Sequence, residues 1–256
     1  MRQLALLFPV ATTLFAFALP AGANSDSTAL AVSAWPARLV VSAPGRATVG
    51  VANPGDEPVR LGARAEGYAL DARGRPRIKS VPTRWFAVRP SRLVVAPHGI
   101  AQLRLTVRRP SGAGPGDHAE LLLLSTEPRA GRRVNARLRL GVVVVVRVPG
   151  LLVHRLGVAR VRVRRGVAGA KLEVTVANRG NVDEWLQRGR VSVMLVRRGR
   201  RIVSVPIEAR RLLARSSGVF DARFRRRLHG QLTAVVVVRR PRRGVTLARW
   251  RYQVSL

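Results

Sequence analysis

Arginine is the residue through which this chain could do chemistry. Clusters at Arg197-Arg198-Gly-Arg200-Arg201, Arg225–Arg227 and Arg239-Arg240-Pro-Arg242-Arg243 carry planar, permanently charged forks that match phosphate and carboxylate oxygens. Grouped so closely, they set up a strong positive field over the surface. Arg197, Arg198, Arg200, Arg201, Arg239, Arg240, Arg242 and Arg243 are therefore candidate contacts to an anionic surface. Other chemistry is thinly supplied. Cysteine is absent, which excludes a disulfide scaffold, a thiolate metal site and a Cys nucleophile. His98, His118, His154 and His229 lie in separate segments and read as turn or surface residues. Asp183-Glu184, beside Asn178 and Asn181, could offer oxygen ligands to a hard cation, but the spacing fits no known cation loop and reads as a solvated one. There is no Gly-x-Ser-x-Gly elbow, P-loop or His-Glu-x-x-His, and carboxylates are too scarce to supply a paired acid and base. No catalysis, metal or cofactor is expected.

Trp35, Trp85, Trp185 and Trp250 each sit beside a strand pattern. Trp85-Phe86, followed by Val88, Leu93, Val94 and Val95, reads as core and core-edge packing, with sugar stacking by one Trp as the alternative.

The elements that must position these residues follow from composition. The chain has 256 residues, 47% of them hydrophobic and only 5% aromatic, with Val carrying much of the apolar content. That supports a buried core and favours strands. The formal charge of +34 is unequally shared: residues 24–150 carry +12 and residues 151–256 carry +21. Such a field suits anionic lipid head groups or anionic wall polymers, and it also fits an Arg-rich solubilising surface with no specific ligand. Nucleic acid is not expected, since no helix-turn-helix, RRM signature or aromatic-interleaved basic strip is present.

Residues 1–23 read as a cleaved export signal: Arg2 is the positive start, Leu4 to Leu19 the apolar stretch, and Ala21-Gly22-Ala23 the small-residue exit before Asn24. No later run is long enough to span a bilayer; the longest, Leu140 to Val146, ends at Arg147. The expectation is a secreted, periplasmic or envelope-associated protein with no transmembrane anchor.

The rest divides into two similar halves. Val49-Gly-Val51-Ala-Asn53-Pro-Gly55 returns as Val174-Thr-Val176-Ala-Asn178-Arg-Gly180. Each is an alternating strand entering a turn in which Asn and Gly tolerate a tight reversal. Arg92–Ile100 is echoed by Arg211–Val219, and Asp117–Ser125 by Gly230–Val238, in the same order. A shared order of three elements argues for two copies of one fold. Short period-two runs between Gly, Pro and Asn corners give the pattern of an immunoglobulin-like sandwich. The fold expected is all-β, with tandem sandwiches over 24–149 and 150–256 joined near Pro149-Gly150. In Val158-Ala-Arg160-Val-Arg162-Val-Arg164, Val would face inward and Arg outward.

Residues 29–149 resemble the N-terminal domain of the PapD-like periplasmic chaperones that assemble fimbriae. The resemblance is carried by Pro36-Ala-Arg38-Leu-Val-Val-Ser-Ala-Pro44-Gly45, by Val49 to Pro58, and by Trp85 to Gly99 followed by Leu103-Arg-Leu105. Pro115-Gly-Asp-His-Ala-Glu120 and Arg137–Pro149 extend it. It implies that the last strand lends alternate hydrophobic residues to an incomplete subunit, and that Arg38 anchors the subunit's terminal carboxylate. The family's second anchor, a Lys on that strand, has no counterpart: Val144 lies near its place and Arg147 follows three residues later. Residues 150–256 resemble a generic bacterial extracellular immunoglobulin-like domain.

Leu138, Leu140, Val142, Val144, Val146 and Val148 lie on one face of that strand, with Val143 and Val145 on the other. A strand apolar on both faces is either central in a sheet or waiting for a partner. The functional expectation is an exported, non-catalytic chaperone or assembly factor for surface or pilus-like subunits acting by strand complementation. Arg38, Val142, Val144, Val146 and Arg147 are its candidate partner contacts. The alternative is a structural or adhesive envelope protein docking on anionic polymers or lipids through its basic second half.

Overall fold

The computed structural model describes residues 32–127, 137–166, 169–224, 230–239 and 246–255, and every regular element in them is a strand. The expected export signal over residues 1–23, His229, Arg225–Arg227, Arg240, Arg242 and Arg243 lie outside the described residues.

The first half contains β1 (Ser33–Trp35), β2 (Arg38–Ser42), β3 (Gly45–Ala52), β4 (Val59–Leu70), β5 (Pro76–Pro82), β6 (Phe86–Arg89), β7 (Arg92–Val95), β8 (Ile100–Val107), β9 (Gly116–Thr126) and β10 (Arg139–Val148). They form one sheet in the order β1-β3-β8-β6 and a second in the order β2-β10-β9-β4-β5, with β7 also on β4. Alternation decides which side chains meet between the sheets. Val49 and Val51 from β3, Leu103 and Leu105 from β8, Leu122 and Leu124 from β9, and Val142, Val144 and Val146 from β10 fill the core. Each such burial is worth roughly 1.5–3 kcal/mol before entropy is charged against it.

The second half contains β11 (Leu156–Gly166), β12 (Gly169–Asn178), β13 (Glu184–Leu186), β14 (Val191–Arg197), β15 (Arg200–Pro206), β16 (Arg210–Leu212), β17 (Ser217–Arg223), β18 (Gln231–Arg239) and β19 (Thr246–Ser255). The sheet orders are β11-β12-β17, β13-β16 and β15-β14-β18-β19. Leu172, Val174, Val176, Val193, Leu195, Phe220, Ala234 and Val236 form a separate core. Along β11, Arg160, Arg162 and Arg164 are exposed, with Val161 and Val163 turned inward.

The internal repeat is real at atomic detail. Asn53 and Asn178 are each 1% exposed and do the same work at the same corner. The Asn53 side-chain amide donates to the carbonyls of Glu57, Val95 and Ala96, and its oxygen accepts from Gly55 N–H. The Asn178 amide donates to Val182 and Leu213, and its oxygen accepts from Gly180 N–H. Each Asn thereby satisfies carbonyls that a buried loop would otherwise strand.

β10 resolves the choice between a central strand and a free edge by being both. Antiparallel to β9 along its whole length, it takes parallel β2 on its other side only from Val143 to Arg147. Val144 and Val146 are fully buried core residues with backbone partners on both sides. They are therefore unavailable as strand donors in this arrangement, contrary to the sequence reading. The open edge is Arg139–Val142, and there the Val142 side chain is also part of the core.

Candidate functional site

The chain's opposite-charge groups meet where the halves join. Gly116, Asp117 and Arg147 sit at the end of the β9–β10 ladder, where Asp117 and Arg147 are direct partners. The Arg147 guanidinium grips the Asp117 carboxylate through Nε at 2.7 Å and Nη2 at 2.9 Å. The second half enters this arrangement through its backbone: Asp183 N–H donates to Asp117 Oδ2, and Asp117 N–H donates to the Asn181 carbonyl. Burial works to raise the Asp117 pKa, but the Arg147 fork, the Asp183 N–H and nearby Arg38 outweigh it and hold the carboxyl below its ordinary value. Arg147, expected to touch a partner, is thus committed to Asp117. Its bidentate fork has the geometry in which Arg and carboxylate bind best.

Gly116 makes this close approach feasible. It has φ +115°, and a Cβ there would run into the Asn181 carbonyl. Asn181 then ties the linker down, its amide donating to the carbonyls of Pro115 and Leu151 and its oxygen accepting from Val153 N–H.

Arg38, at the start of β2, donates from Nη2 to Asp183 Oδ2 at 2.6 Å. Asp183 Oδ1 accepts from Ala214 N–H. Neighbouring Glu184 is ion-paired with Arg190 at 2.7 Å and hydrogen-bonded to His154 Nδ1 at 2.9 Å. The Asp183-Glu184 pair is therefore neither a solvated loop nor a cation cage. Both carboxylates are buried counter-ions for basic residues, because in a chain so poor in acids each one is drawn to a guanidinium.

Beyond the Arg38–Asp183 contact opens a cleft of about 300 Å³ lined by Arg38, Tyr68, Val143, Trp185, Arg210, Arg211 and Leu213. Tyr68 and Leu213 in its lining belong to the apolar seam between the halves, where Tyr68, Leu121 and Leu123 pack with Leu213. Arg211 lies over the Trp185 ring at 5.4 Å, and Arg210 over Phe220 at 4.0 Å. Burial lowers both guanidinium pKa values, and for Arg211 the nearby Arg38 charge adds to the effect. The Arg210 Nε is buried without a hydrogen-bond partner. Three guanidinium groups thus share an apolar cleft with Asp183 as the carboxylate bound to Arg38. Such a place can take an anionic group carried on an apolar body, with bidentate geometry available to a carboxylate.

Sequence reading singled out Arg38, and named Trp185 only beside a strand pattern; it did not join it to Arg211, which faces it across the β13–β16 ladder. Nothing local marks them, since they are 26 positions apart in the chain. Among the described residues, the arginines expected to form an anionic docking surface do not share one patch. Arg197, Arg198, Arg200 and Arg201 occupy the β14–β15 turn, whereas Arg239 sits at the opposite end of β14, where β18 runs antiparallel to it. A strand of this length separates Arg239 from the turn arginines by about 20 Å, well beyond a Debye length of about 8 Å. Arg239 is also turned inward, donating to Ser192 Oγ and the Gly189 carbonyl.

No family model matches the sequence, and no curated protein does. Solved structures do share the fold. A chaperone–tip adhesin complex of CFA/I fimbriae biogenesis has a TM-score of 0.52 at 10% identity, covering 87% of this chain and 98% of that one. The class 5 fimbriae chaperone CfaA has a TM-score of 0.52 at 10% identity, with 88% and 100% covered. The CsuC–CsuE chaperone–tip adhesion subunit pre-assembly complex of the archaic chaperone-usher Csu pili of Acinetobacter baumannii has 0.50 at 13%, with 87% and 97% covered. The likeness in fold to these structures covers most of the chain and so reaches the second half as well, which read as a generic immunoglobulin-like module.

Proposed function

We propose that this protein is an exported chaperone or assembly factor that captures secreted or surface subunits, holding an extended segment at the open edge of β10 and a terminal carboxylate in the arginine cleft. The observation that carries this reading is the half-covered β10. N–H of Val143 donates to Ala37 in front of β2, and Ala43 N–H donates to Arg147 C=O. Residues 143 and 147 thus aim their backbone groups at β2, and alternation aims those of Arg139 and Gly141 the same way, where β2 is absent. A partner strand laid there would prolong β2 and gain main-chain hydrogen bonds, with half-buried Leu138 and Leu140 beside it.

At that same end of β2, beside Arg38, the cleft supplies the second cation that β10 lacks. Arg211, from the second half, stands near Arg38, and Val143 offers an apolar wall. The fimbrial chaperones that share the fold are described in complexes with tip subunits, which supports the same class of partner here.

The test is a peptide of alternating apolar residues ending in a free carboxylate, compared with its C-terminal amide. The free acid binds the intact chain about tenfold more tightly than the amide, a difference of about 1.4 kcal/mol that suits one charge-assisted contact. Arg211→Gln erases the difference, and Gly141→Pro, which removes an outward N–H and brings its Cβ to 3.0 Å from Leu121 Cδ1, weakens both peptides. Equal binding of acid and amide, unaffected by Gly141→Pro, would refute the proposal.

A further inference from the structure

The outer face of the β1-β3-β8-β6 sheet, on the side away from the core, carries residues that the capture of a subunit does not use. Register places Trp35 opposite Gly50 and Gly50 opposite Gln102. One row further along, Thr48 lies opposite Arg104, and Arg104 opposite Arg89. Arg46 stands diagonally from Arg104 on the same face. Thr48, Gln102, Arg104, Arg89 and Arg46 are all exposed.

Two features set this face apart from an ordinary solvated surface. The first is Trp35, which is 45% exposed and belongs to neither domain's core. Its ring lies flat on the backbone of Gly50, where an added Cβ would collide with it. Covering a strand glycine accounts for the inner face of the ring. The outer face stays open as an aromatic platform.

The second is charge. Arg89 and Arg104 are direct cross-strand neighbours, an arrangement that like charges disfavour. No Asp or Glu occurs in β1, β3, β6 or β8, and among the described residues Arg46, Arg89 and Arg104 form no ion pair. An anion bridging the guanidinium groups relieves that repulsion. Elsewhere in the molecule the scarce carboxylates do this, as Glu173 and Asp221 do for Arg73, Arg164 and Lys171.

From the open ring, the neighbouring hydrogen-bonding side chains and the unrelieved arginines together, we infer that this face binds an anionic polysaccharide, of the uronate-bearing class. The apolar face of a sugar ring stacks on Trp35, Gln102 and Thr48 meet hydroxyl groups, and the Arg104–Arg89 pair takes a carboxylate on a following unit. Strand spacing and rise put the Trp35 and Arg104 backbones about 12 Å apart, the span of a short run of sugar rings. Neutral sugars would leave the arginines unrelieved, and a lipid surface would leave the ring's polar neighbours without a role. The site lies in the first domain, away from the arginine-rich β14–β15 turn.

The experiment is titration of the intact chain with a hexamer of uronate sugars, with a neutral hexaglucan and a hexathymidylate as comparisons. The uronate hexamer binds, the neutral one at least tenfold more weakly. Arg89→Gln and Arg104→Gln each weaken uronate binding about tenfold, as expected for loss of a charge-assisted contact. Trp35→Phe, which keeps a ring over Gly50, weakens it severalfold with the fold intact. Replacing Arg200 and Arg201 by Gln leaves it unchanged. The inference is overturned if the Arg200/Arg201 variant loses as much affinity as Arg104→Gln, since binding would then follow total charge alone. It is equally overturned if hexathymidylate binds as well as the uronate, or if no hexamer binds.

Discussion

Arg38 of the first domain holds Asp183 of the second at 2.6 Å, with the Asp183 side chain only 3% exposed. The contact closes one wall of the arginine cleft and spans 145 residues of sequence. It gives Arg38 a carboxylate of its own before any partner arrives, so an incoming terminal carboxylate must share or displace Asp183.

Asp183→Asn keeps an acceptor for Ala214 N–H but removes the charge. Urea unfolding should show a loss of about 2 kcal/mol, since it leaves a half-buried guanidinium without its counter-ion. Arg38→Gln combined with Asp183→Asn should cost less than the two changes added together. Strict additivity would show the pair to be idle. In the single Asp183→Asn variant, the free-acid peptide should bind more tightly, because Asp183 no longer competes for Arg38.

Glu120 makes stability fall as pH rises. Burial lifts its pKa to about 7, against the opposing pull of the Thr83 hydrogen bond and the Lys79 charge. The unfolded value is about 4.3, so the contribution is complete below that pH and is lost as pH climbs through about 7. Glu120→Gln should flatten the stability profile between these limits and raise stability near pH 8 by about 1–3 kcal/mol. A profile identical to that of the parent chain would contradict this assignment.

Gly116→Ala should loosen the join between the halves. The new Cβ meets the Asn181 carbonyl at a backbone angle that L-residues rarely adopt. Calorimetry should show a lower midpoint, and a loss of about 2 kcal/mol or more. Gly112→Ala is the control: its φ of +74° brings the same backbone strain, but nothing lies within 4 Å of the added Cβ. Its smaller loss isolates the interdomain contact.

Val144→Arg separates a core role from a partner role. Val144 is 0% exposed between the sheets, so a guanidinium there should unfold the first domain, at a cost of about 4 kcal/mol or more. Retention of a native near-ultraviolet spectrum in that variant would show that β10 had been wrongly placed at the centre of its sheet.

What the sequence settled by itself was everything local. Period-two runs of Val and Leu require strands, because only a pleat sends alternate residues to opposite faces. The Asn53 and Asn178 corners announced the duplication, since an Asn able to satisfy several loop carbonyls has the same surroundings wherever that loop recurs. Arg38 was legible as a candidate anchor from the motif around it. Tertiary structure alone decided what each group would meet. β2 could have flanked all of β10 or none of it, and the alternation of Val142, Val144 and Val146 is the same in either case. Asp183 looked like loop acid until folding brought it to Arg38, and Arg147 looked free until Asp117 lay opposite it. Periodicity is set by neighbours in the chain, whereas strand order and charge pairing are set by which distant surfaces come to share one low-dielectric space.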